Sequence, residues 1–265
     1  ISPTMRREPI VLFDNGSHQC LCFDDLVSGE GVQSNQFLIV DNGQYLLLDP
    51  GGDLTYTPLS LELSKRFPLQ ELDYIFASHQ DPDIIAALDK WLLHTRARVI
   101  CSKLWARFLP HLTANYLAVS HGINTYDRVM PLPDRGQAIA LGDCSLKAIP
   151  AHFLHSVGNF QLYDPVSKIL FSGDMGASLV DDAAPVSDFA AHIQYMDGFH
   201  RRYMAANKIC RLWARMVRDM DVEMIVPQHG RPFVGKEMIS AFLYWIENLE
   251  CGIDLLGPDD YRMPG

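Results

Sequence analysis

The sequence predicts an α/β (more finely, α+β) fold in which two β-sheets are sandwiched between helices, an αββα layering. Two observations carry this prediction. Strand-type apolar runs are followed by helix-type tracts in each half of the chain. The 265 residues, 48% of them hydrophobic, also suffice for one large core, so a single domain over 1–251 with a tail or linker over 252–265 is expected.

The first third reads as a strand meander. Runs from His18 to Leu26, Asn35 to Asp41 and Tyr45 to Asp49 are separated by turn signals, and Asn42-Gly43 between the last two is a hairpin signal. Asp49-Pro50-Gly51-Gly52 ends that strand. Thr57 to Phe67 reads as a helix, Asp73 to Ala77 as a buried parallel strand, and Pro82 to His94 as a second helix. A strand from Val99 to Ser102 and a helix from Lys103 to Val119 follow. The second half repeats the theme, with strands over Ala138–Leu141, Ser145–Pro150, Val157–Tyr163 and Lys168–Ser172, then a loop over Gly176–Asp188. A long helix from about Met196 to Asp219, a strand Glu223–Val226 and a helix Gly235–Leu249 complete the pattern.

Composition narrows the function. With 32 acidic and 22 basic side chains the net charge is -10, which argues against a nucleic-acid or anionic-membrane surface. No apolar run approaches the ~20 residues that span a bilayer, and residues 1–7 lack the apolar core of a signal peptide, so a soluble cytoplasmic protein is expected. The six cysteines are scattered through apolar patterns, as buried small hydrophobes are, and Cys20 and Cys22 share one face of a strand. Gly51-Gly52 lacks a following Lys-Ser/Thr, so no nucleotide site is expected.

The chemistry concentrates in Ser78-His79-Gln80-Asp81-Pro82-Asp83-Ile84. One imidazole and two carboxylates stand at every second position just after a strand, where open α/β sheets place their ligands. Taken alone, Asp81-Pro82-Asp83 is also a helix-start signal, with Asp81 capping and Asp83 favouring the dipole. Three further fragments place a His or Asp at the end of an apolar run, beside Gly, Ser or Pro: Leu154-His155-Ser156, Ser172-Gly173-Asp174 and Gln228-His229-Gly230.

In that order the fragments resemble the metallo-β-lactamase superfamily, whose pattern runs HxHxDH, then His, Asp and His. The motif departs from the zinc hydrolases at its third position, Asp81, where the flavodiiron branch carries a carboxylate, and at its last, Ile84, where a second His is usual. Over roughly Asn35 to His229 the chain most resembles the small oxygen-binding diiron proteins related to flavodiiron proteins but lacking their flavodoxin module. The resemblance implies an αββα sandwich of the metallo-β-lactamase type. It implies that His79, Asp81 and His155 hold one metal, that Asp83 and His229 hold a second, and that Asp174 bridges them, with His152 as an extra ligand or outer-sphere neighbour. A carboxylate-rich, thiolate-free set favours two iron ions, with manganese or zinc as alternatives, and no FMN domain is expected in this chain.

The function so implied is dioxygen binding, or that of another small diatomic, by a sensor or carrier, with binding favoured over catalytic turnover. Ile84 beside an open metal position would suit a neutral diatomic. An oxygen or nitric oxide reductase with a separate electron donor is the alternative, and a metal-dependent hydrolase the next. A signalling protein is the expected partner of a sensor, and homo-oligomerisation stays open. His94, His111, His121, His192 and His200 lack spaced partners and read as surface or helix residues. Tyr195, Met196, Phe199 and Tyr203 fit either a pocket mouth or core packing.

Overall fold

The computed structural model describes residues 8–27 and 29–265; residues 1–7, expected to lack a signal-peptide core, lie outside the described residues. The first sheet runs in chain order through β1 (Ile10–Asp14), β2 (His18–Phe23), β3 (Gln36–Asp41), β4 (Gln44–Leu48), β5 (Tyr74–Phe76), β6 (Arg98–Ser102) and β7 (Val129–Leu132). It is antiparallel as far as β4 and parallel from β4 to β7. The second sheet is built from β8 (Gln137–Leu141), β9 (Cys144–Pro150), β10 (Phe160–Asp164), β11 (Ile169–Phe171), β12 (Met224–Val226) and β13 (Phe233–Val234), in the order β13-β12-β11-β10-β9-β8. The hairpin between β3 and β4 is the expected one. Asn42 and Gly43 take φ of 44° and 79°, the left-handed pair that a two-residue turn between twisted strands requires.

Period-two alternation builds three cores. Phe37, Ile39, Leu46, Leu48, Phe76, Phe160, Leu162 and Phe171 meet between the sheets, and Cys20 and Cys22 join them on the shared face that their spacing predicts. Leu38, Leu47 and Ile75, on the opposite face of the first sheet, pack with residues of α1 (Asp53–Ser64), α2 (Pro82–Ile85) and α3 (Leu88–His94). Leu170, Ile225 and Phe233 pack with residues of α6 (Phe189–Tyr203), α7 (Asn207–Arg218) and α8 (Lys236–Glu247). The short α4 (Lys103–Ala106) and α5 (Pro110–Asn115) lie between β6 and β7 in the chain. The layering is αββα, as the pattern predicts.

The helices differ from expectation where local signals mislead. The Lys103–Val119 tract divides before Pro110, whose ring and missing N–H disfavour an unbroken helix, and Tyr116–Ser120 winds as a π-helical turn. Pro82–His94 divides at Ala86–Ala87. The tract expected from Met196 to Asp219 starts earlier, at Phe189, where the Asp188 carboxylate accepts from Ala191 N at 3.1 Å, and it breaks at 204–206. Tertiary contacts cause the break: Met204 is fully buried, and Ala205 N donates to Phe153 O at 3.2 Å rather than into a helix. The strands absent from the sequence reading, β1, β7 and β13, are respectively a half-exposed edge, a Pro-containing edge and a two-residue edge.

Candidate metal centre

The six residues singled out by the sequence come together at one edge of the sandwich. His79 follows β5, Asp174 follows β11 and His229 follows β12, while His155 lies in the crossing from β9 to β10. Asp81 precedes α2 and Asp83 sits in its first turn. The capping alternative fails for Asp81: its side chain accepts no hydrogen bond from the helix and points to imidazoles instead. The loops are laced together, with Ser178 N donating to His229 O at 3.1 Å and Arg231 N donating to Ser178 Oγ at 3.2 Å. Gly230 has φ of 80°, and a Cβ there would fall 1.9 Å from Ser178 Oγ, so only glycine fits this closure.

Four atoms face a common point. His79 Nε2 lies 3.4 Å from Asp81 Oδ2 and 3.1 Å from Asp174 Oδ2; His155 Nε2 lies 3.2 Å and 2.9 Å from the same two oxygens. A cation with bonds of about 2.0–2.2 Å sets its neighbouring ligands about 2.8–3.6 Å apart, so these separations are those of a coordination polyhedron's edges. A second group forms around His229, whose Nε2 lies 3.2 Å from Asp83 Oδ2 and 3.6 Å from Asp174 Oδ1. Asp174 thus turns one oxygen to each group.

Hydrogen bonds behind the site fix which nitrogen faces it. Asp49, at the end of β4, accepts from Ser78 N and from Ser78 Oγ, each at 2.8 Å, and Ser78 Oγ in turn accepts from His79 Nδ1 at 2.9 Å. With its hydroxyl proton given to Asp49, Ser78 requires the His79 proton on Nδ1, which leaves the Nε2 lone pair facing Asp81 and Asp174. His229 Nδ1 donates to Gln33 O at 2.7 Å, with the same consequence for its Nε2. An imidazole lone pair set against two carboxylate oxygens demands a cation between them, and the donor set therefore fits metal ions.

The protonation equilibria of the metal-free site say the same. Burial opposes charge on His79, yet the Asp174 and Asp81 carboxylates push it up to about 10, and His155 is pushed up to about 9 against the same opposition. Burial alone would raise Asp174, but His79 and His155 hold it well below the usual carboxylate range; Asp81 is likewise held low, chiefly by His155 and His79. Protons on the imidazoles occupy the place of the cations. Asp49 is pushed up to about 6 by its complete burial, which the Ser78 hydrogen bonds only partly offset.

Other residues fall outside this group. His152 Nε2 donates to Asp134 O at 2.8 Å, and its ring stands edge-on to Phe160. Ile84 is fully buried in the same core as Ile85, Leu88 and Trp91. His192 and His200 are buried rather than at the surface. His200 donates from Nδ1 to Met196 O and accepts from Gly176 N at 2.9 Å, which pins the turn after Asp174 in a neutral tautomer that burial holds at about 4. Tyr203 packs edge-on against the His155 ring, with centroids 5.7 Å apart, and stacks on Phe199. Asp49, Ser78 and Gln33 were not legible as site residues. The Asp-Pro-Gly-Gly turn marked the place of Asp49 but not its role.

Two further groups of metal-ligating side chains, His18 with Cys20 and Asp164 and His18 with Asp41 and Cys144, lie elsewhere in the sandwich, all buried but the half-buried Cys144. Their geometry is of another kind. His18 Nε2 and Ser167 Oγ both lie 2.6 Å from Asp164 Oδ2, and Cys20 Sγ lies 3.2 Å from it, so the donors converge on a carboxylate oxygen and not on an open point. His18 Nδ1 takes Asp41 at 2.8 Å. The cluster reads as an ionic clamp between the sheets, closed by its own hydrogen bonds.

Comparison with known proteins supports the same fold. Residues 32–230 match the family described as ODP family beta lactamase. Solved structures of the chemotaxis sensor ODP, one titled as a peroxy diiron species and one as the apo state from T. denticola, share 38% sequence identity with the chain. They superpose with TM-scores of 0.81 and 0.80, over 94% of this chain and 98% and 97% of theirs. A metal-soaked flavodiiron core from Synechocystis sp. PCC6803 superposes with a TM-score of 0.72 over 90% of this chain and 61% of its own, at 19% identity, a likeness of fold. An uncharacterized protein of Methanocaldococcus jannaschii is 27% identical over 80% of the chain, and the chain spans about half the length (52%) of that relative.

Proposed function

The chain belongs to the ODP family beta lactamases, and from that premise we propose that it is a non-haem diiron protein that binds dioxygen as a sensor or carrier. The observation that carries the reading is the division of the Asp174 carboxylate between two imidazole groups, Oδ2 toward His79 and His155 and Oδ1 toward His229. In this reading His79, Asp81 and His155 hold one iron, Asp83 and His229 the other, and Asp174 spans both. The absence of thiolate among these donors suits iron or manganese better than zinc. An iron pair held by these residues would supply redox-active positions for a neutral diatomic ligand.

The residues of the chain do the rest. Three carboxylates balance most of the charge of two divalent ions. Asp49 and Ser78 hold His79 in one tautomer and Gln33 O does so for His229, so that loading needs protons displaced but no ring turned. Tyr203, against His155, limits the approach of bulky solutes from that side. Such a charge-balanced site favours retention of a small neutral ligand over hydrolysis of a large polar one.

The test is spectroscopic. Iron-loaded protein, reduced without oxygen and then mixed with dioxygen, is expected to develop a visible absorption that persists. Rapid return to a ferric spectrum, followed by repeated turnover when an external electron donor is supplied, would replace this reading with that of an oxygen reductase.

A further inference from the structure

Outside the metal centre, two thiols face each other where the carboxy-terminal segment docks. Cys210 of α7 and Cys251 are both fully buried and unbonded, with their sulfur atoms 3.9 Å apart. Cys251 opens the 3-10 turn Gly252–Leu255, its carbonyl accepting from Asp254 N and its own N–H donating to Asp254 Oδ2, each at 3.1 Å. That turn is fastened over the break between α6 and α7: Ile253 N donates to Ala205 O at 2.9 Å, and Asp254 Oδ2 accepts from Asn207 N at 2.6 Å. The approach is close. Gly252 has φ of 54°, and a Cβ there would fall 2.2 Å from the carbonyl oxygens of both Met204 and Ala205. The same break reaches the metal-centre loop, through Ala205 N to Phe153 O and through Tyr203 against His155.

We propose that Cys210 and Cys251 form a thiol–disulfide site, oxidised by hydroperoxide, that locks the carboxy-terminal turn onto the α6–α7 break. The remaining four cysteines offer no such pair of sulfurs among the described contacts. Closing 3.9 Å to the ~2.05 Å of a disulfide takes a small rotation of two side chains, not a refolding. The reactive partner is Cys251. The hydrogen bond from Cys210 lowers it, with burial and the Asp254 carboxylate opposing and Arg201 assisting, while Cys210 is raised by the same partner and by burial.

The chemistry balances. The Cys251 thiolate attacks one oxygen of hydrogen peroxide; the O–O bond breaks, that hydroxyl stays on sulfur as a sulfenic acid, and the other leaves as hydroxide, which takes a proton to become water. Cys210 then attacks that sulfur; the S–S bond forms, and the hydroxyl departs as water with the Cys210 proton. Two thiols and one peroxide give one disulfide and two waters. The inference does not depend on the dioxygen reading, since peroxide is added from outside.

The test uses the full chain, reduced, freed of reductant and exposed to graded hydrogen peroxide, then alkylated and mapped without reduction. The thiol count should fall from six to four, with a single peptide pair linked through Cys210 and Cys251. Amide exchange at Ile253 should slow in the oxidised protein. A different first-modified cysteine, a sulfinic acid at Cys251 without linkage, or six alkylated thiols after exposure would overturn the proposal. So would a linked protein whose Ile253 exchange is unchanged, because the lock would then be absent.

Discussion

Asp174 and His155 stand 2.9 Å apart, Oδ2 to Nε2, while the other oxygen of Asp174 faces His229 at 3.6 Å. A carboxylate divided in this way is placed to serve two ions. Replacing it should therefore remove more metal than replacing Asp81, which touches one group. Asp174→Asn is expected to lower metal content at both sites, and Asp81→Asn mainly at one. Metal analysis of the two variants after identical loading checks this, and equal losses would deny the bridge.

The hydrogen-bond chain behind His79 gives a second prediction. Ser78→Ala frees the imidazole from Asp49 without touching any ligand atom, so the ring loses its fixed tautomer and orientation. Outer contacts of this kind are worth roughly 10–100-fold in metal affinity. A competition titration against a chelator should show a loss of that order in a protein whose circular dichroism is unaltered.

Loading should release protons. In the metal-free site His79 and His155 are held at about 10 and about 9, so near neutrality each carries a proton that a metal must displace. Apparent affinity is then expected to rise with pH up to about 10, less steeply above about 9. Calorimetric titrations in buffers of different ionisation enthalpy count the protons released, and a count near zero at pH 7 would contradict the assignment of these two imidazoles.

The ionic clamp between the sheets should govern stability rather than chemistry. Burial opposes charge on His18, but Asp164 and Asp41 raise its pKa above 6.5. Because the folded form holds the proton more tightly than the unfolded chain, the stabilisation is complete below pH 6.5 and is lost as pH rises through the folded value. His18→Gln leaves two buried carboxylates without their cation, at a cost of roughly 3–5 kcal/mol. Denaturant melts from pH 6 to 9 should show a decline in the parent that is absent from the variant.

What the sequence reveals depends on how local each signal is. His79, Asp81 and Asp83 sit in one short motif, and His155, Asp174 and His229 each end an apolar strand beside a turn residue, so all six were legible before any fold was known. Asp49 and Gln33 act on those ligands across 29 and 196 residues of chain, through bonds that no spacing encodes. His200 looked like one more polar residue of a helix, because its partner, Gly176 N, lies in a different element. The break at 204–206 is hidden for the same reason: Met204 and Ala205 are good helix formers, but the Ala205 carbonyl accepts from Ile253 N of the carboxy-terminal turn, where Gly252 packs close against both carbonyls.

A paired-iron site in this chain should hold dioxygen. The most direct test is stopped-flow absorption of the fully reduced, iron-loaded protein mixed with dioxygen, run beside His155→Ala. The account predicts a visible band that forms with about two irons per chain and outlasts the mixing by many minutes, and that is missing from the variant. Direct passage to a stable ferric spectrum with no such band in the parent, or an identical band in His155→Ala, would contradict it.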